Sequence, residues 1–150
     1  VMSFLSAFNT SVSGTTAQRP HVNTISEKIA NAETTRTPQG GPYRRREVIL
    51  ASVANDRTFE EELLSQDRSV STSTEVKVVG IVQDERPPIL RFEPGHPDAN
   101  EEGYVEMPNV NIMEEMVNLM SANRSYEANT AAFNATKNMV QSALDLGRNA

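Results

Sequence analysis

The sequence predicts an α+β chain, with long amino- and carboxyl-terminal helices packed as an antiparallel coiled-coil-like pair, a small β-rich middle region and a mobile loop. Three observations lead there. Apolar residues recur at heptad-like spacing at both ends of the chain, whereas most prolines and glycines fall between residues 34 and 108. Only 37% of the 150 residues are hydrophobic and 5% aromatic, so a large self-sufficient core is not expected.

The first region, residues 1–33, carries only four charges, Arg19, Glu27, Lys28 and Glu33. Its larger apolar residues Val1, Leu5, Phe8, Val12, Val22 and Ile29 fall in alternating steps of three and four once Thr15, Arg19 and Ser26 fill the gaps. Pro20 lacks an N–H and crowds the preceding turn, which predicts a kink or break near Arg19 and a second helical piece starting at or just after Pro20.

In the middle region, residues 34–108, "REVILAS" at 46–52, "VKVVGIV" at 76–82 and "PILRFE" at 88–93 have the branched and apolar residues that suit strands. Gly40 and Gly41 before Pro42 signal a turn, and "EPGHPDANEEG" at 93–103 reads as an extended loop. Residues 54–74 are polar and Ser/Thr-rich and are expected to be the mobile loop.

The third region begins after Pro108. Asn109 or Asn111 can cap a helix whose positive end is favoured by Glu114 and Glu115, and which should run to about Leu146, with Gly147 as its stop. Its seam passes through Ile112, Met116, Leu119, Tyr126, Phe133, Val140 and Leu144, interrupted by Asn123, Thr130 and Lys137. A second stripe through Val117, Ala128, Ala132, Ala135, Met139, Ala143 and Leu146 widens the apolar face beyond one coiled-coil seam. Such a helix is a rod of roughly 54 Å, against about 11 to 12 residues for a typical helix. The amino-terminal helix can cover one side, and copies of the chain or its relatives are the expected cover for the rest. Residues 1–33 and 109–150 therefore form one helical domain, and residues 34–108 an outer β-rich region.

Composition also excludes functions. A net charge of -6, with Arg44, Arg45 and Arg46 as the sole basic run, argues against nucleic-acid binding. Without cysteine there are no disulfides, thiolate metal sites or cysteine nucleophile. His21 and His96 lie far apart and form no helical two-histidine motif, so neither a metal nor a cofactor is expected. Glu60, Glu61, Glu62 and Asp67 read as a solvated acidic segment rather than acid/base groups, and no catalytic residue is assigned. The tripeptide "HPD" at 96–98 matches a co-chaperone motif but lacks its context of two helices, the first basic. The triple arginine is expected to pair with acids on a neighbouring subunit or to lie along a strand facing water. Met107, Met113, Met116 and Met120 read as adaptable packing in a polymer. No stretch approaches the roughly 20 apolar residues of a membrane span, and the amino terminus lacks the basic flank and apolar run of a cleaved signal.

Two stretches carry a resemblance. "ISEKIANAETTRTPQGGPYRRREVIL" at 25–50 and "RFEPGHPDANEEGYVEMPNVNIMEEMVNLMSANRSYEANTAAFNATKNMVQSALDLG" at 91–147 resemble the amino- and carboxyl-terminal signatures of bacterial flagellar rod and hook proteins. The matching positions include Ile29, Ala30, Asn31, Ala32, Gly40, Gly41, Pro42 and Tyr43 in the first. In the second they include Gly103, Tyr104, Val105, Pro108, Asn109, Val110, Glu115, Met116, Arg124, Tyr126, Glu127, Ala128 and Asn129. The resemblance implies a structural subunit of the proximal rod of the flagellar basal body, with its terminal helices in the tubular wall that transmits torque and its β-rich middle facing outward. It also implies a periplasmic location reached by type III export without a cleaved signal. The implied partners are other copies, related rod proteins, the MS ring and rod adaptor at the base, and the export apparatus. The chain departs from the pattern at Pro20 and at "EKIANA", where "SNIANA" is usual, so that Glu27 and Lys28 replace small and amide residues. A soluble coiled-coil adaptor or flagellar export chaperone, also acidic, cysteine-free and helical at its ends, is the alternative.

Overall fold

The computed structural model describes residues 4–54 and 74–148. The expected mobile loop, with Glu60, Glu61, Glu62 and Asp67, lies almost wholly outside the described residues, as do Val1 and the side chain of Leu5.

Helix α1 spans Phe4–Ala30 and passes through Pro20 without a break, correcting the expected interruption. Proline removes one backbone donor, a local loss that packing along the rest of the helix outweighs. Much of α1 is hydroxylated, and those side chains turn back onto their own backbone: Thr10 to Ser6 O, Ser11 to Ala7 O, Thr15 to Ser11 O and Ser26 to Val22 O, each at 2.9–3.0 Å. The chain then turns through Gly40 and Gly41, whose φ of 89° and 71° are favoured by glycine.

Strand β1, Arg46–Ala54, pairs with β2, Thr74–Gln83, and both run a little longer than their apolar runs indicate. Strand β3, Ile89–Phe92, lies antiparallel to β4, Tyr104–Met107, in the register Ile89↔Met107 to Phe92↔Tyr104. The sequence reading did not mark β4 as a strand. It is only four residues long, below the length at which alternation is a clear signal. Between β3 and β4 the chain is not an extended loop but a series of tight turns, His96 N to Glu93 O, Ala99 N to His96 O and Gly103 N to Asn100 O. Gly103 has φ 82°, and a Cβ there would stand 3.0 Å from Phe92 and 3.1 Å from Pro94, so both backbone and space require glycine.

Helix α2 spans Ile112–Arg148. Asn111 is its cap, with Oδ1 accepting from Met113 N at 3.1 Å and Glu114 N at 3.4 Å. The expected stop at Gly147 is corrected, since α2 includes it and its φ is not positive. The two long terminal helices pack together, with small β-hairpins between them in sequence, and the class is α+β.

The described residues divide into two compact units. One contains α1 up to Arg19, residues 50–54 and 74–79, and α2 from Arg124. There Phe8 stacks on Phe133 at 4.4 Å between ring centroids, and Gly14 lies against Asn129. Thr10 Oγ1 donates to Thr74 O and Ser13 Oγ accepts from Val76 N, tying α1 to the start of β2. The other unit contains Pro20–Ile49 and Gly80–Asn123. In it the end of α1 meets the start of α2 through Lys28 and Glu115, which fits an antiparallel pair.

Candidate assembly site

The pairing seam of α1 runs through Ser11, Gly14, Gln18, His21, Ile25, Lys28 and Ala32, in unbroken steps of three and four, and every one is buried or half-buried. On α2 the corresponding line is Glu115, Leu119, Ala122, Tyr126, Asn129, Phe133, Thr136 and Val140, with Tyr126 and Val140 each 38% exposed. Small and polar residues thus occupy much of the inner seam. Gly14 shows why: a Cβ there would lie 2.8 Å from Asn129 Nδ2, so the two helix backbones approach closely at that level.

This placement divides the packing residues expected from the sequence. Phe8, Val22, Ile29, Leu119 and Phe133 are half-buried, whereas Val12, Ile112, Met116 and Leu144 stand at the surface with 40–69% of their area exposed. The inner-seam residues Gly14, Ile25, Lys28, Ala122 and Thr136 were not singled out as packing positions. Their signal was the three-four alternation itself, read without weighting for hydrophobicity.

Further apolar side chains of α2 are left exposed. Met113, Met116, Val117 and Met120 are exposed in one unit; Met139, Leu144 and Leu146 are exposed in the other. Scattered exposed apolar residues need no explanation, but Met113, Met116, Val117 and Met120 on successive turns of one helix make a stripe that water covers poorly. Of the signature positions, Ala32, Tyr43, Gly103, Val105, Pro108 and Glu115 are buried within the unit of Pro20–Ile49 and Gly80–Asn123. Ala30, Gly40, Gly41, Tyr104, Met116, Arg124, Tyr126, Glu127 and Ala128 are exposed, and Ile29, Asn31, Pro42, Asn109, Val110 and Asn129 are half-buried.

An ionic node underlies that stripe. Glu115 is wholly buried, its Oε2 2.6 Å from Lys28 Nζ and its Oε1 3.9 Å from Arg45 Nη1. Arg45 also pairs with Glu47 and, at 3.5 Å, with Asp84. Arg86 donates to both oxygens of Asp84, including the Oδ2 that Arg45 approaches, and holds that carboxyl down to about 2. Two of the three arginines have acidic partners within the chain. Arg45 is consumed inside its own unit and Arg46 approaches Glu27 at 3.6 Å, because the turn after α1 swings them onto carboxylates of the same chain. His21 is pushed below its ordinary value by burial and then by the Lys28 charge, with Glu115 opposing. Tyr43 Oη is buried without a well-formed hydrogen bond, and burial, then the nearby Glu27 carboxylate, raise it to about 12.

The "HPD" tripeptide has a local task. His96 Nδ1 accepts from Asp98 N, and Asp98 Oδ2 accepts from Thr35 Oγ1 at 2.8 Å, fastening the β3–β4 turn to the segment after α1. Among the described residues no three His, Cys, Asp or Glu side chains are grouped as metal ligands, and no helix is long and apolar enough to cross a membrane.

Residues 101–146 match the family described as flagellar basal body rod FlgEFG protein C-terminal. Over the whole length the chain is similar to flagellar basal-body rod proteins FlgC. That of Borreliella burgdorferi is 42% identical, with 95% of this chain and 97% of the relative covered. That of Bacillus subtilis is 43% identical, over 98% of this chain and all of the relative. That of Salmonella typhimurium is 36% identical over the same shares.

Proposed function

The chain belongs to the flagellar basal-body rod protein FlgC family, and from that membership we propose how its surface is used: the outer stripe of α2 packs against neighbouring rod subunits. It is a structural, non-enzymatic component of the flagellar basal-body rod. The observation that carries the proposal is the run of exposed Met113, Met116, Val117 and Met120 on the turns of α2 whose inner side is already committed to Leu119, Ala122 and the Glu115 node. Neighbours in this reading are other copies and related rod proteins in the proximal, periplasmic part of the shaft. The MS ring and rod adaptor lie at its base, and delivery is by the type III export apparatus. Torque passes along helices packed side by side, a task that needs rigidity and no active site.

The same surface argues that the terminal helices are largely unfolded in the isolated subunit and complete their folding on entering the rod. The buried hydrophobic residues among those described are Ala17, Ile25, Ala32, Tyr43, Val105 and Ala122, three of them alanine. Such burial sets little against an ordering cost of roughly 1 to 2 kcal/mol per residue. A chain exported through a narrow channel also has to travel unfolded.

Fractionation of cells tests the assignment. The chain is expected to stay with detergent-extracted, purified basal bodies. Recovery in the soluble fraction alone would instead indicate an adaptor or export chaperone.

A further inference from the structure

A buried carboxylate normally collects hydrogen bonds, and a buried ion pair is often no more stable than packed apolar side chains of similar volume. Glu115 departs from the first rule. It is wholly buried, Lys28 is 5% exposed, and neither Glu115 oxygen has a well-formed hydrogen bond. Compensation rests on two cations from two different segments, Lys28 near the end of α1 and Arg45 just before β1. Arg45 is itself shared with Glu47 and Asp84, so its charge is only partly available to Glu115. The first turns of α2 consequently cannot dock in part. With α1 absent, Glu115 would lose the cation at 2.6 Å and keep only the one at 3.9 Å.

We propose that the Lys28–Glu115–Arg45 node is a folding brake. It makes closure of the unit formed by Pro20–Ile49 and Gly80–Asn123 depend on desolvating charges, and so delays that closure until neighbouring subunits add apolar burial along α2. The node keeps the stripe of Met113, Met116, Val117 and Met120 from being presented on a finished helix before assembly, because those residues share their turns with Glu115. Lys28 and Glu115 are positioning residues in this account. The proposal rests on the assembly-coupled folding described above.

Amide hydrogen exchange on the full-length chain, dilute and verified as monomer, tests it. In K28M/E115L, which removes the pair and leaves Arg45 with Glu47 and Asp84, amides of residues 21–30 and 112–123 should exchange about ten-fold or more slowly than in wild type. K28M alone, which leaves the buried carboxylate with its weaker partner, should be no slower than wild type. R44M/E114L, which exchanges two exposed charges for apolar groups, should stay within about two-fold of wild type. A K28M/E115L chain that exchanges as fast as an unprotected wild type overturns the brake alone, and so does equal slowing in R44M/E114L. A wild-type monomer already protected through α2 overturns assembly-coupled folding and the brake with it.

Discussion

Phe133→Asp abolishes incorporation into the rod and swimming. In the unit formed by the chain ends, Phe133 is half-buried and tilted 40° against Phe8 at 4.4 Å, the one aromatic contact described between α1 and α2. The substitution removes that ring pair, worth about 0.5–1.5 kcal/mol beyond its area, and places a carboxylate in the seam against the Phe8 ring. Stranding a charge in a packed seam adds several kcal/mol, of order the whole stability of a marginal subunit. Leu119→Asp has the same effect in the other unit, beside the already charged Glu115. Glu101→Ala, at an exposed turn, leaves swimming unchanged. Swimming zones in soft agar and the chain's content in purified basal bodies measure all three, and equal defects in the three would contradict the division between seam and surface.

Gly14→Leu is the second severe change. An alanine Cβ at this position already meets Asn129, at 2.8 Å from Nδ2 and 3.0 Å from Cγ, but these atoms belong to a side chain that can rotate away. Gly14→Ala is therefore expected to be mild, and its helix propensity gain of about 1 kcal/mol partly offsets the contact. Leucine brings three further carbons into the same space and must push the helices apart, with an overpacking cost of about 1–3 kcal/mol. Rod incorporation should fall sharply for Gly14→Leu and stay near the wild-type level for Gly14→Ala. A fully motile Gly14→Leu strain would show that the helices do not approach closely at this level.

Gly14 also shows where the sequence was legible and where it was not. Long periodic segments at both ends declared two helices, and Leu119 and Phe133 declared an inner line, because large apolar residues at three-four spacing dominate any periodicity reading. Many of the remaining inner positions are small, polar or charged, such as Gly14, Gln18, Lys28, Glu115, Ala122 and Thr136, which carry little hydrophobic weight. Hydrophobicity on α2 is spread between an inner seam and an outer stripe, so a reading by apolar residues also takes in Ile112, Met116 and Leu144, which are exposed in the single chain. Lys28 and Glu115 were invisible as core residues for a related reason. Charges are taken as solvated until a structure shows their partners. Pro20 illustrates the opposite failure, a sound local rule overruled by the packing of a 27-residue helix.

The central claim is that the outer stripe of α2 is solvent-facing in the single chain and covered in the rod. The absence of native cysteine makes it directly measurable. Single cysteines placed at Met116, Met120 and Met139, with a reference cysteine at the exposed Glu101, are labelled with a maleimide in dilute monomer and in purified basal bodies. The account predicts that all four react in the monomer, and that in basal bodies only the cysteine at position 101 remains reactive. Undiminished labelling of the three α2 positions in intact basal bodies would contradict it.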